Sequence, residues 1–144
     1  MPFVYLKELH MSTSPAITVS SLDYERLAAL LEDCESGHPT AAALEAELER
    51  ADVVEPSAMP AGIITMNSCA RVKLDDAQEK TLTLVYPREA DSEQGKISVL
   101  APIGAALLGL SVGQSIDWPT PAGSIRLKVL EVTYQPEAAG ELHR

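Results

Sequence analysis

Apolar residues recur at helical spacing in two runs within the first third of the chain. In both runs the apolar positions are three and four residues apart, the spacing of a helix that packs against a second helix. These positions are Tyr24, Leu27, Leu31 and Cys34 in the first run, and Ala41, Leu44, Leu48 and Ala51 in the second. The segment Ser36-Gly37-His38-Pro39 separates the runs, and a glycine followed by a proline ends a helix. Because so short a connection leaves neighbouring helices antiparallel, residues 17–55 are predicted to form a helical hairpin.

Polar residues mark where each helix begins. Ser20 and Ser21 precede the first run. Asp23 and Glu25 fall in its first turn, where negative charge is favourable beside the helix dipole. Thr40 is expected to cap the second helix. At 1.5 Å per residue each arm would be roughly 20 Å long, so the hairpin is predicted to be a stub.

The pattern changes to β after a linker at residues 56–62, where Pro56, Pro60 and Gly62 break any helix. Short apolar or alternating runs then predict strands at Ile63–Met66, Arg71–Leu74, Thr81–Tyr86, Ile97–Leu100, Ser115–Trp118 and Ile125–Tyr134. A short apolar helix is predicted over residues 102–110. Thr120-Pro121-Ala122-Gly123 has proline second and glycine fourth, which suits a type I turn and predicts a β-hairpin for the last two strands.

The last predicted strand changes phase part-way along its length. Its apolar residues lie on one face as far as Val129 and on the opposite face from Leu130 onward. Such a switch indicates either a β-bulge or a strand that is covered on both faces. Together the elements predict an α+β protein in which an antiparallel sheet carries one small helix.

Charge and composition exclude several classes of function. The 144-residue chain is 46% hydrophobic with a net charge of −10, so it can bury a core but lacks the clustered Lys and Arg that neutralise phosphates. Direct nucleic-acid binding is therefore not expected, and an acidic surface suits a basic protein partner. No run is apolar enough for a membrane span, and no signal-peptide pattern opens the chain. Residues 1–16 are expected to be a poorly ordered leader, and translation would start at Met1 or Met11. The protein is expected to be cytoplasmic, where Cys34 and Cys69 would stay reduced.

The sequence contains no recognisable catalytic motif. The three histidines, His10, His38 and His143, all fall outside the predicted strands, and no nucleophile, metalloprotease or phosphate-loop signature is present. We therefore expect neither an enzyme nor a cofactor or metal site.

Acidic residues cluster near the predicted tip of the hairpin. Glu32, Asp33 and Glu35 surround the end of the first helix, and His38 lies in the loop. Carboxylates three residues apart on a helix face the same way and could share a divalent cation. A solvated acidic helix end is the alternative, because acids are plentiful along the second helix as well.

Several short motifs resemble the Gre transcription elongation factors. Residues 97–134 follow that family's order of an Ile-Ser strand, a proline turn, an Ala-Leu-rich helix ending in Gly, a Val-Gly turn and a strand pair around Pro-x-Gly. Upstream, Glu89-Ala90-Asp91 matches a further family segment. Rnk-type members of the family resemble the chain still more closely, over about residues 17–140. The matching segments are Thr65-Met66-Asn67-Ser68, Thr83-Leu84-Val85-Tyr86-Pro87 and residues 134–140.

The resemblance implies a fold and a partner. The fold would be a helical hairpin followed by an FKBP-like antiparallel β domain over residues 63–144, and the partner would be RNA polymerase, bound at the rim of its secondary channel. The family's docking positions correspond to Leu100, Ala101, Pro102, Ile103, Ala105 and Leu108. Leu100 stands where Gre factors typically have Asp, so docking here would depend on shape and apolar area. Core packing is the alternative role for Ala105 and Leu108.

The resemblance also implies a limit to the function. Gre factors reach the polymerase active centre with a long hairpin whose tip acids, in a D-x-x-E-N pattern, hold magnesium, whereas this hairpin is short and its tip lacks that pattern. We expect a monomer that binds polymerase without stimulating transcript cleavage and competes with Gre factors. Two alternatives stay open. One is regulation of nucleoside diphosphate kinase through protein contact, and the other is a residual enzyme, acting in cleavage through Glu32 and Glu35 or as a prolyl isomerase.

Overall fold

The N-terminal part of the chain forms a helical hairpin whose base is closed by two short strands. The computed structural model describes residues 17–34, 38–75, 78–120 and 123–142. Strand β1 (Thr18–Ser20) leads into helix α1 (Ser21–Glu32), and helix α2 (Pro39–Glu49) returns to strand β2 (Asp52–Val54). β1 and β2 pair in parallel. The predicted hairpin is confirmed. No helix in the described ranges is long and apolar enough to cross a bilayer.

Capping explains where the two helices begin. The Ser20 hydroxyl accepts a hydrogen bond from the Asp23 N–H at 3.0 Å, so it satisfies one of the free N–H groups in the first turn of α1. The N-cap of α2 is His38, whose Nδ1 accepts a hydrogen bond from the Ala41 N–H at 3.2 Å. The prediction that Thr40 caps α2 is wrong. Pro39 already occupies the first turn of the helix, where its fixed φ and missing N–H are compatible with helical geometry.

Five strands form the sheet of the C-terminal part. They are β3 (Cys69–Leu74), β4 (Gln78–Val85), β5 (Lys96–Ser98), β6 (Ser115–Thr120) and β7 (Gly123–Tyr134), in the order β5-β4-β3-β7-β6. The predicted α+β class is confirmed. The expectation of a fully antiparallel sheet is wrong for β4 and β5, which run parallel. Two 3₁₀ turns, Pro87–Glu89 and Ser92–Gln94, carry the chain back along β4 before β5 begins.

The segment predicted as the first strand of the β domain belongs to no strand. Ile63 forms an isolated bridge with Ser111, and Ile64 exchanges backbone hydrogen bonds of 2.8 and 2.9 Å with residues 109 and 110. Asn67, at φ +68°, then turns the chain, and Asn is one of the residues that tolerate this left-handed region. The predicted strand Ile63–Met66 is therefore an irregular buried connection.

A bulge interrupts the pairing of β7 with β3. Arg71 lies opposite Glu131 and Val72 lies opposite Val129, so Leu130 is an extra residue on β7. Val129 is buried and Leu130 is half-buried. The bulge is therefore confirmed as the reason for the phase change in the sequence.

Some predicted features fall outside the described residues. They are the leader at residues 1–16, His10, Glu35, the stop signal Ser36-Gly37, the turn residues Pro121-Ala122, and His143. Thr120 pairs with Gly123 across the turn, which confirms that β6 and β7 form the predicted β-hairpin.

One hydrophobic core joins the hairpin to the sheet. Helix α3 (Pro102–Leu107) packs against α2 as well as against β5 and β6. Leu27 of α1 and Leu44 of α2 are fully buried in the cluster that also contains Leu107. Gly109 has φ +80°, and a Cβ at this position would overlap Ile17, so the start of the hairpin unit passes directly over the end of α3. The hairpin and the β domain therefore share their interior.

Candidate functional site

The predicted docking turn lies between β5 and α3. Ser98, the last residue of β5, orders this turn: its hydroxyl accepts from the Leu100 N–H, and its carbonyl oxygen accepts from the Ala101 N–H, both at 3.0 Å. Pro102 opens α3, where a missing N–H breaks no hydrogen bond. Gly104 lets α3 approach the strand closely, because a Cβ there would overlap the Ser98 carbonyl oxygen. Contacts of Ser98 and close packing therefore fix the shape of the turn.

The six predicted docking residues divide into two groups. Leu100, Ala101, Pro102 and Ile103 are half-buried, so each keeps part of its surface accessible. Ala105 and Leu108 are each only 2% exposed and lie in the hydrophobic core. Of the two roles considered for Ala105 and Leu108, the structure supports core packing. The candidate surface is thereby reduced to residues 100–103.

The hairpin tip brings few chemical groups together. Glu32 and Asp33 are exposed at the end of α1. The His38 side chain is used to cap α2. Within the described ranges no three His, Cys, Asp or Glu side chains are grouped closely enough to hold a metal ion. The described tip acids therefore give no support to a shared divalent cation.

A buried polar junction, which we did not predict from the sequence, ties the hairpin to the β domain. Asp23 is buried, and its carboxylate accepts a hydrogen bond from the Met66 N–H at 3.1 Å. The hydroxyls of Thr65 and Ser68, both buried, lie 2.8 Å apart, and the Thr65 hydroxyl donates to Glu137 at 2.7 Å. Three distant parts of the chain meet here.

Gln135 attaches the C-terminal segment to the same region. Its buried amide nitrogen donates to the carbonyl oxygens of Pro60 and Ile63 at 2.9 and 2.8 Å, and its amide oxygen accepts from the Ala138 N–H at 3.1 Å. Two of the motifs that resemble Rnk-type proteins, residues 65–68 and 134–140, are the segments that build this junction. The sequence motifs therefore marked the residues of this junction, although the motifs alone did not indicate that these segments contact each other.

Burial changes the protonation of Asp23. Loss of hydration raises the pKa of its carboxyl group to about 6. The hydrogen bond from Met66 opposes that rise, and the nearby charge of Glu137 adds to it. The sequence predicted only that negative charge in the first turn would be favourable beside the helix dipole. The structure shows in addition that the Asp23 side chain is buried and links the hairpin to the β domain.

A cleft of about 850 Å³ lies between α1 and the segment that follows β4. Its charged and aromatic lining consists of Arg26, Asp33, Tyr86, Arg88 and Glu89. Two arginines and two carboxylates leave this lining with little net charge. Burial raises the pKa of Tyr86 well above its ordinary value, and the charge of Asp23 raises it further, so the phenol stays protonated. The residues that line the cleft do not include an activated nucleophile with a general base.

Two family models together match nearly the whole of the described chain. Residues 59–134 match the C-terminal domain of the transcription elongation factors GreA/GreB, and residues 15–54 match the Rnk N-terminus. The chain belongs to the GreA/GreB family. The GreA/GreB match includes the sheet, α3 and the turn at residues 100–103, and the Rnk match includes the hairpin. The resemblance inferred from the sequence is confirmed.

Individual relatives agree with this assignment. The chain is 48% identical over 130 residues to the regulator of nucleoside diphosphate kinase of Escherichia coli K12, covering 88% of this chain and 96% of that protein. A solved GreA/GreB structure from Nitrosomonas europaea is 50% identical with a TM-score of 0.69, covering 84% of this chain and 100% of that one. GreA of Thermodesulfovibrio yellowstonii is 34% identical over 93 residues, and the match covers 64% of this chain and 59% of that factor. These GreA/GreB-family relatives are named as regulators and transcription factors.

Proposed function

We propose that this protein binds RNA polymerase at the rim of its secondary channel through residues 100–103 and regulates transcription without stimulating transcript cleavage. Membership of the GreA/GreB family supports this partner. The observation that carries the proposed surface is the ordered turn, in which Ser98 holds the backbone while Leu100 and Ile103 keep part of their apolar surface accessible. A preorganised turn loses little conformational entropy on binding.

The dimensions of the hairpin support the absence of cleavage stimulation. α1 has 12 residues and α2 has 11, which correspond to arms of about 18 and 17 Å. Leu44 and Leu48 of α2 are buried, so part of the hairpin is engaged in the protein's own core. A short hairpin held in this way is poorly suited to extend through a channel to a distant catalytic centre.

Binding to purified RNA polymerase tests the docking surface. Ala101→Glu and Ile103→Glu place a charge on the half-buried turn, and Val53→Glu is the matched control because Val53 is an apolar residue of β2 that is 47% exposed. We expect the turn variants to bind about tenfold more weakly and the control to bind like the unchanged protein. Unchanged affinity in both turn variants, with correct folding, would rule out this surface.

A transcript-cleavage assay on stalled polymerase tests the second half of the proposal. We expect background cleavage with this protein alone. We also expect GreA-stimulated cleavage to fall as this protein is added, because both would occupy the rim. Cleavage that this protein stimulates, and that Glu32→Gln abolishes, would instead favour the residual-enzyme alternative.

Regulation of nucleoside diphosphate kinase by direct contact is the second candidate function. Its support is the name of the E. coli relative, which matches most of this chain. The two candidates are separated by offering purified polymerase and purified kinase to the protein at physiological salt. Binding of the kinase without binding of the polymerase would favour this second candidate.

A further inference from the structure

A groove between α1 and α2 has an apolar floor. Tyr24, Ala28 and Leu31 form it from α1, and Leu48 forms it from α2, within a volume of about 320 Å³. Leu48 is buried, whereas the other three residues are half-buried and leave apolar surface in contact with solvent. This volume lies at the lower end of the range of about 300–1,000 Å³ that is typical of ligand sites. The groove therefore suits one anchoring apolar side chain better than a whole small molecule.

Carboxylates surround this floor. Glu32, Glu45 and Glu49 line the groove from both helices, and all three are exposed. No Lys or Arg lines the groove, and among the described residues none of these three forms an ion pair. Glu47, elsewhere on α2, is by contrast paired with Arg50 at 2.8 Å. The negative charge of the groove is therefore left uncompensated by the described chain.

We propose that this groove binds a basic amphipathic segment of a protein partner. An apolar side chain of that segment would enter the floor while its Lys or Arg side chains pair with the three carboxylates. An amphipathic helix binds a groove through apolar anchors at helical spacing, and complementary charge at the edge sets orientation and partner choice.

The charge of the groove favours a basic partner over a second copy of this chain, and its position differs from that of the turn at residues 100–103. Two copies of the chain placed groove to groove would bring their carboxylates together, and each copy carries a net charge of −10. That arrangement is therefore disfavoured relative to a basic partner. The groove shares no residue with the turn at residues 100–103, so it is a surface separate from the proposed polymerase-docking turn.

Three synthetic peptides test the proposed chemistry. In the first, leucine recurs at helical spacing and the other positions are lysine; the second replaces leucine by alanine, and the third replaces lysine by glutamate. Binding to the full chain is measured by fluorescence anisotropy. We expect the leucine–lysine peptide to bind in a salt-sensitive way, the alanine–lysine peptide to bind about tenfold more weakly, and the leucine–glutamate peptide not to bind. Equal binding of the leucine–lysine and alanine–lysine peptides would overturn the apolar part of the proposal.

Two triple variants of equal net charge locate the binding site. The first removes the carboxylates of the groove: Glu32→Gln, Glu45→Gln and Glu49→Gln. The second removes three exposed carboxylates elsewhere: Glu55→Gln, Glu89→Gln and Glu93→Gln. We expect the first variant to bind the leucine–lysine peptide about tenfold more weakly than the unchanged protein does. The second variant should weaken this binding by less than about twofold.

Equal effects of the two triple variants would overturn the proposal, because binding would then follow total charge. Analytical sedimentation measures whether the protein self-associates, and so tests whether a second copy of this chain occupies the groove. Self-association of the unchanged protein that the groove variant abolishes, in the absence of peptide binding, would assign the groove to another copy of this chain and would also overturn the proposal.

Discussion

The Asp23 carboxyl group joins α1 to the segment before β3 through one buried hydrogen bond. Its folded-state pKa of about 6 lies above the ordinary value of 3.8, so folding favours the protonated form. The stability that this group contributes is therefore complete below about pH 4 and is lost as the pH rises through about 6. Glu137 and Arg26 act on the same carboxyl group with opposite signs.

Asp23→Asn should remove this pH dependence. The amide keeps an oxygen that can accept the Met66 N–H but does not ionise. Between about pH 4 and about pH 8, we expect the free energy of unfolding of the unchanged protein to fall relative to that of the variant by on the order of 3 kcal/mol. Urea unfolding of both proteins across this range measures the difference. Glu25→Gln on the exposed face of α1 is the control, and parallel curves for the unchanged protein and Asp23→Asn would contradict the prediction.

Gly104 determines how closely α3 approaches β5. Gly104→Ala should destabilise the protein by about 3 kcal/mol, because the new Cβ would overlap the backbone of Ser98 and force α3 outward. Gly113→Ala is the matched control. Gly113 has φ +90° and open space around it, so only backbone strain of about 1–2 kcal/mol is expected there. Equal losses in denaturant unfolding would show that α3 shifts away without strain.

At the scale of the elements, the start of α2 depends on an uncommon cap. His38→Ala should lower the free energy of unfolding by about 1 kcal/mol, because the N–H of Ala41 loses its acceptor. His38→Ser should restore most of that loss, since a serine hydroxyl is a preferred cap. Thr40→Ala is the control in the first turn. A loss from Thr40→Ala as large as that from His38→Ala, measured by urea unfolding, would show that Thr40 and not His38 stabilises this end of the helix.

Elements with a long periodic pattern were predictable, and very short elements were not. α1 and α2 each repeat their apolar spacing over several positions, and the bulge in β7 appears in the sequence as a change of phase. β1 and β2 have three residues each, too few to show a period, and their pairing depends on the geometry of the whole hairpin. The parallel direction of β5 depends on the path of the two 3₁₀ turns, where no periodic pattern exists.

The candidate turn was predictable in position but not in exposure. An apolar residue of a short helix has the same sequence signature whether it faces a partner or the core. Ala105 and Leu108 lie in the core, and α3 packs against α2, a contact between segments far apart in the chain. The buried role of Asp23 was not predictable either, because its hydrogen-bond partner, the Met66 N–H, lies far away along the chain.

At the scale of the whole molecule, the hairpin and the β domain should unfold together. Leu27 and Leu44 are buried in the same cluster as Leu107 and Val129, so neither unit can open without exposing the other. We expect a single calorimetric transition whose van't Hoff and calorimetric enthalpies agree. Two resolved transitions would contradict a shared core.

Removal of the hairpin extends this prediction. A chain without residues 17–54 would leave the apolar surface beneath α1 and α2 open to water. We expect this truncated protein to bind a hydrophobic dye and to lack a cooperative transition. A truncated protein that melts cooperatively at the temperature of the full chain would show that the β domain is stable on its own.

The parallel pair of β1 and β2 places the exit and the return of the hairpin beside each other. Whole helical turns added equally to the free ends of α1 and α2 would lengthen both arms without displacing either strand. The sheet and the turn after β5 would then be unaffected. The length of the hairpin is in this sense separate from its attachment, because only the base of the hairpin is held by the β1–β2 pair.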